Sequence, residues 1–402
     1  MTVSSKTDAV HIEMGSLCFL ERQDEASAAF RSAKATVMVR DLGRLIEDYA
    51  KAPPEVWHLL RHTFDEVLGA VSRTGFLHEV DYFLQCLLAD RRASPSRDLS
   101  PTAQAAIVGL FLALQNQRFQ RHRPLIDTAW PLRGLAHLSF IDQAYLSTWT
   151  WNASVANGTP RLTVDVDHLQ LTVDGQVMAW RTLDSADRDF AFVDAESLPA
   201  ALLEEPRTRT LPRQLAASRF RLVFSWGSEM WSHAAQAIGD ATSFIRGTDC
   251  PDQDHWQSGS AAHEPGSVYV TLRESDYLHA FEGLLHEAMH QRIYLLERVQ
   301  PLVRHAERRY RHKWRTDDRP IRGVLLAAHA FAIVARFYAI CLETPDTPNK
   351  DSLHLEFESL YDGVAEAVHT LRSSNALTET GTLVTELISG NQDDTRRMVS
   401  HL

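Results

Sequence analysis

Cysteine is scarce in this 402-residue chain: there are four, Cys18, Cys86, Cys250 and Cys341, widely spaced and never in a C-x-x-C pair. Neither a disulfide framework nor a thiolate zinc site follows from such spacing, and a reducing compartment fits it best. Positive charge is also in deficit, with 41 Lys+Arg against 52 Asp+Glu and a formal net charge of −11. That balance disfavours wholesale binding to nucleic acid or to an anionic membrane. No apolar run follows Lys6 and Asp8, so no secretory signal is expected and the expected location is cytoplasmic. The longest apolar stretch, Gly323 to Leu342, carries His329 and Arg336, each costly in lipid, and is expected to be a buried helix rather than a membrane span. G-x-x-x-x-G-K-[ST], G-x-G-x-x-G and G-x-S-x-G are all missing, so phosphate cradles and the usual serine-hydrolase arrangement have no signature. There is no internal repeat and no low-complexity tract.

What is present is ordinary globular material, 44% hydrophobic and 23% charged, enough for one large or two to three ordinary domains. From Leu17 to Leu125 apolar residues recur at three and four, as in Val56, Leu59, Leu60, Phe64, Val67, Leu68 and Val71, which predicts helices. The period turns towards two between Trp130 and Leu183. Asp174-Gly175 between Leu169-Leu171-Val173 and Val177-Met178 reads as a hairpin. Helices resume near Leu211, and a short β run, Ser267 to Leu272, precedes a long helical region broken at Pro301, Arg315 to Pro320 and Pro345 to Asn349. The expected class is mainly α with a smaller β part: a helical N-terminal region (1–128), a β-containing segment (129–205) and a helical, zincin-like region (206–402).

One motif stands out. His286-Glu287-Ala288-Met289-His290 is H-E-x-x-H, and in a helix its two imidazoles lie one turn apart on one face, able to reach one metal ion with Glu287 beside the first. Phe281, Leu284, Leu285, Ala288, Met289 and Ile293 supply an apolar stripe, and Ser275 and Asp276 offer N-cap oxygens. A chain of this composition would show the pattern by chance roughly 0.05 times. The bland alternative is two histidines on a partly buried helix with Glu287 in a local ion pair.

Two protein ligands leave a metal under-coordinated, so a third is expected from another element. His329 is the choice, an imidazole inside the apolar run Val324 to Ala332. Arg322, His329, Arg336 and Glu343 are spaced by seven and form one polar stripe on an apolar helix. Glu343 is the competing ligand, and a carbonyl-bonded core histidine is the competing role for His329. Arg304 to Arg322 concentrates positive charge. Its first part, Arg304 to Arg311, reads equally well as a solvated helix exterior. In Trp314-Arg315-Thr316-Asp317-Asp318-Arg319-Pro320, the guanidinium forks and the helix start at Pro320 suit a carboxylate-bearing co-substrate.

Ser258-Gly259-Ser260, the strand after Pro265-Gly266, His286 to His290, and Trp314-Arg315-x-Asp317-x-Arg319-Pro320-x-x-Gly323 ahead of a helix bearing His329 together resemble a known family. These are the H-E-x-x-H peptide-modification proteins of bacterial ribosomal-peptide natural-product clusters, regarded as iron(II)- and 2-oxoglutarate-dependent peptide β-hydroxylases. The resemblance covers roughly Ser258 to Leu342. It implies Fe(II) at His286, His290 and His329, 2-oxoglutarate at Arg315 and Arg319 with Arg322 or Arg336 as alternatives, O2 as oxidant, and a ribosomally made precursor peptide as substrate. Glu287 would then orient a ligand or bound water. The Ser267 to Leu272 strand would pair with the extended peptide. Among the nine Trp residues, Trp149, Trp151, Trp226 and Trp231 would line a peptide groove or, as is commoner, belong to the core. The rival is a zinc peptidase with Glu287 as general base and His329 or Glu343 completing the site. A third reading is a metal-free binding scaffold.

Overall fold

In the computed structural model, the described residues are 23–49, scattered positions between 61 and 88, the strands between 126 and 192, and 209–400 with short gaps. The architecture is mainly α with a smaller β part. In chain order the elements are α1 (Gln23–Tyr49), β1 (Ile126–Ala129), β2 (His137–Ile141), β3 (Leu146–Thr150), β4 (Arg161–Asp165), β5 (Gln170–Val173), β6 (Gln176–Met178), β7 (Ala191–Phe192) and β8 (Arg209–Thr210). There follow α2 (Arg213–Met230), α3 (Ser232–Ala241), β9 (Phe244–Asp249), β10 (Ser258–Ser260), β11 (Ser267–Thr271) and α4 (Tyr277–Val299). The remainder is β12 (Arg309–Tyr310), β13 (Arg319–Pro320), α5 (Ile321–Glu343), α6 (Lys350–Ser373) and α7 (Glu379–Val399). Most of the N-terminal helical expectation, and the Trp151 expectation, fall outside the described residues; α1 is the helix described in full there.

The chain divides into two compact units, Lys34–Gln291 and Met1–Ala33 with Arg292–Leu402. In the first, β1, β4, β5 and β6 form an antiparallel sheet, and Val173 pairs with Gln176 across the predicted Asp-Gly turn. A second sheet has the order β10-β11-β9-β7, with β8 also on β9. Here β11 runs parallel to β9 and antiparallel to β10. Val268, Val270, Phe244 and Ile245 are buried in it, as are Phe220 and Val223 of α2 and Phe281, Leu284 and Leu285 of α4. Burial of this order, about 25 cal/mol per Å² of apolar surface, is what holds helices to a sheet. Gly227 of α2 lies so close to Phe281 that a Cβ there would sit 2.0 Å from the ring.

The start of α4 is set by Asp276, whose Oδ1 accepts the His279 backbone N–H at 3.2 Å, while Oδ2 meets His279 Nδ1 at 2.7 Å. This is the N-cap that the sequence offered at Ser275-Asp276. Partial burial pushes the Asp276 carboxyl up, but the two bonds from His279 outweigh it and hold it below its ordinary 3.8.

In the second unit α5 packs against α6 and α7. Its 23 residues have a hydropathy of 1.9 over their most apolar window, 78% of which is buried inside the protein, as expected for Gly323 to Leu342. Asn391 of α7 locks the contact: its Nδ2 donates to the Ala332 carbonyl at 3.1 Å and its Oδ1 accepts from Arg336 Nη1 at 3.1 Å. The stretch after Pro301 departs from the helical expectation. Val303 bridges Leu377, and Arg309–Tyr310 pairs antiparallel with Arg319–Pro320, so the described part of the basic segment is a small hairpin and not a helix. Pro320 then precedes the first turn of α5, a position where its missing N–H costs nothing.

Two substitutions test these supports. Asn391→Ala should lower stability by about 1–3 kcal/mol, since it removes two hydrogen bonds, one to the Ala332 carbonyl and one from Arg336. Urea unfolding reads this, and an unchanged midpoint would contradict the lock. Asp276→Ala should cost roughly 0.5–2 kcal/mol at pH 7. Because the folded carboxyl is held low, its contribution is complete above 3.8 and is lost as pH falls through the lowered value. The gap from wild type should therefore narrow in acid; a gap independent of pH would show that the ionised cap is not its source.

Candidate metal centre

The H-E-x-x-H segment lies in the middle of α4, facing the β10-β11 side of its unit. The His286 and His290 rings stand 4.5 Å apart, centre to centre, at 82° to each other. One ligand atom each of His286, Glu287 and His290 falls within 4.8 Å of the others. Both imidazoles are partly exposed and Glu287 is buried, at 3% exposure. Two imidazoles and a carboxylate at these separations are a donor set that suits a first-row divalent ion.

Glu287 is more constrained than the motif alone implies. Ser258 Oγ donates to its Oε1 and Ser260 Oγ to its Oε2, each at 2.7 Å. Strand period explains the pair. In β10, residues two apart point to one face, so an S-x-S strand presents two hydroxyls to one carboxylate. Gly259 between them points the other way, beneath Tyr269, where a Cβ would lie 2.2 Å from the ring. One helical turn before Glu287, Gly283 lets α4 approach the sheet: a Cβ there would meet Val270 Cγ2 at 3.1 Å and Ser258 Cβ at 3.4 Å. On the far side of the motif, Gln291 accepts from the Gly266 N–H at 3.1 Å and donates to the Ser267 carbonyl at 3.2 Å. Gly266 has a positive φ of 79°, the conformation a glycine after proline supplies at least cost. The helix bearing the histidines is thus tied to the sheet before, at and after the motif.

The strand expected to receive a peptide is not free to do so. Both ladder edges of β11 are occupied, by β9 and by β10. A parallel partner on one side and an antiparallel partner on the other leave it no unpaired row of N–H and C=O groups.

The other sequence candidates lie in the second unit. His329 on α5 is fully buried, at 0% exposure. Glu343 is the last residue of α5 and is exposed. A buried imidazole is the stronger ligand candidate of the two. Arg322 is engaged by Glu297, with Nε to Oε1 at 2.7 Å and Nη2 to Oε2 at 2.6 Å, and Arg336 by Asn391. That removes two of the four guanidiniums considered for a co-substrate. Arg315 is exposed, and Arg319 is half-buried with Nε 2.8 Å from Asp317 Oδ2. Trp226 and Trp231 are half-buried, Trp226 edge-on to Phe281, as part of the α2 packing.

No protein-family model matches the chain, and no curated protein matches it.

Ser258 and Ser260 are functional residues that the H-E-x-x-H motif does not announce, although S-G-S stands in the sequence. A period-two pair of hydroxyls ahead of an H-E-x-x-H helix was the usable signal. Replacing both serines by alanine should weaken divalent-metal binding by roughly 10–100-fold, the usual cost of losing groups that orient a ligand set. Competition against a chromophoric chelator reads this, and unchanged affinity would show that the clamp does not serve the ion.

Proposed function

We propose that this protein is an iron(II)- and 2-oxoglutarate-dependent oxygenase that hydroxylates the β-carbon of a residue in a ribosomally made precursor peptide. The observation that carries the reading is the state of Glu287 beside the histidine pair. A zinc peptidase of this motif needs its glutamate as general base, turned towards metal-bound water. In this chain both carboxylate oxygens accept serine hydroxyls. That arrangement suits a group that orients its neighbours better than one that shuttles a proton.

His286 and His290 would hold the ion, with His329 the third ligand by the sequence argument and Arg315 and Arg319 the seat for 2-oxoglutarate. Bound Fe(II), with 2-oxoglutarate and O2, supplies the oxidising power for C–H hydroxylation, one oxygen atom going to the peptide and the other to succinate as CO2 is lost. The chain's own contribution is placement. The serine clamp fixes Glu287, the Gly283 approach fixes α4 on the sheet, and the buried apolar residues of α4 exclude water behind the histidines. A cytoplasmic, soluble protein acting without nucleic acid or membrane fits the acidic composition and the burial of α5.

Purified protein supplied with Fe(II), O2 and a candidate precursor peptide should convert 2-oxoglutarate to succinate and add 16 mass units, as about one oxygen atom, to the peptide. His286→Ala and His290→Ala should each abolish both signals. Glu287→Gln, which keeps two hydrogen-bonding atoms, should retain measurable turnover. Peptide cleavage with Zn(II), indifferent to 2-oxoglutarate and lost in Glu287→Gln, would establish the peptidase instead. Fresh protein free of any stoichiometric ion would favour the scaffold.

A further inference from the structure

His312 lies just past β12, after Arg311, and is 4% exposed, yet among the described residues neither of its ring nitrogens has a hydrogen-bond partner. The indole N–H of Trp314, two residues on, is likewise buried without a partner. The two rings lie 5.9 Å apart. Native proteins leave few buried polar atoms unsatisfied, and three in one corner call for a ligand.

The surroundings say what kind. Trp314 lies with its ring centre 4.5 Å from that of Phe331 of α5, tilted by 33°, and abuts Gly363 of α6. A Cβ at Gly363 would sit 2.6 Å from the indole ring and 2.9 Å from its nitrogen, so the glycine is what lets the indole lie where it does against α6. Burial first, then the charges of Arg319 and Arg315, hold the His312 imidazole below its ordinary value, against a smaller opposite pull from Asp317 and Glu366. The ring is therefore neutral at pH 7 and offers one N–H and one lone pair. Arg319 is matched by Asp317, whereas Arg315 has no ion-pair partner among the described residues. The corner thus combines two neutral N–H donors with one unmatched cation.

We propose that His312 and the Trp314 indole N–H form the hydrogen-bonding floor of a seat for one carboxylate of a small organic acid, with Arg315 supplying the opposite charge. This rests on the reading of the Arg315 and Arg319 loop as a co-substrate site and adds the residues that select a planar two-oxygen group over a bare charge. A carboxylate has two coplanar oxygens and one negative charge, which two N–H groups and one guanidinium can satisfy together.

The test is a titration of the full chain, carrying 15N-labelled tryptophan, with 2-oxoglutarate, succinate and inorganic phosphate, followed by the Trp314 indole N–H resonance. Trp314→Phe assigns that resonance among the nine. The expected result is a saturable downfield shift with both organic acids and little response to phosphate. His312→Gln and Arg315→Gln should each weaken binding by about tenfold or more. Gly363→Ala, which moves the indole, should weaken it as well. Should one of these variants fail to fold, the wild-type resonance and the remaining variants still decide the matter. Binding of 2-oxoglutarate with no movement of the Trp314 signal would overturn this proposal while leaving the oxygenase reading standing. No binding of either acid to the wild type would overturn both. An equal response to phosphate would show an adventitious ion only, and would overturn the carboxylate assignment.

Discussion

The contact on which the candidate centre depends is the double hydroxyl clamp from β10 to Glu287. A buried carboxylate is expensive unless every oxygen is satisfied. Ser258 and Ser260 meet that requirement with one strand face and one helix position. Once Glu287 is held, the rotation of α4 about its axis is set, and with it the direction of His286 one residue before and His290 three residues after. Gly283 is what permits the helix to come near enough for the clamp to close.

The same economy is visible in the second unit, where polar side chains on an apolar helix are used as locks. α5 could be mistaken for a membrane span by length and hydropathy. Arg322 and Arg336 instead reach side chains on α4 and α7, as a bidentate carboxylate pair and an amide. A polar stripe on such a helix is therefore mostly structural, and His329 is the member of the stripe that stays inside, buried on all sides. The hairpin of β12 and β13 has a different character. It brings His312 and Trp314 into one corner, where their buried ring nitrogens have no hydrogen-bond partner among the described residues.

Much was legible beforehand where local chemistry decides the outcome. The class, the α4 cap at Asp276, the start of α5 after Pro320 and the Asp-Gly hairpin all follow from periodicity, capping and turn preferences, which act over a few residues. The basic segment was not legible. Arg309 pairs with Pro320 across a ladder, and nothing in a run of arginines announces a strand partner that far along the chain. The role expected of β11 failed for a related reason: a short β run looks the same whether it ends at an edge or in the middle of a sheet.

By itself, the sequence determined that two imidazoles and a carboxylate share a helical face, because 3.6 residues per turn leaves no other arrangement for H-E-x-x-H in a helix. Only the tertiary structure decided which hydroxyls that carboxylate accepts, which arginines are engaged by other side chains, and that a buried histidine and a tryptophan have no hydrogen-bond partner among the described residues. Those outcomes depend on contacts between residues far apart in the chain, whose distances are set by how helices and strands pack and not by any local preference.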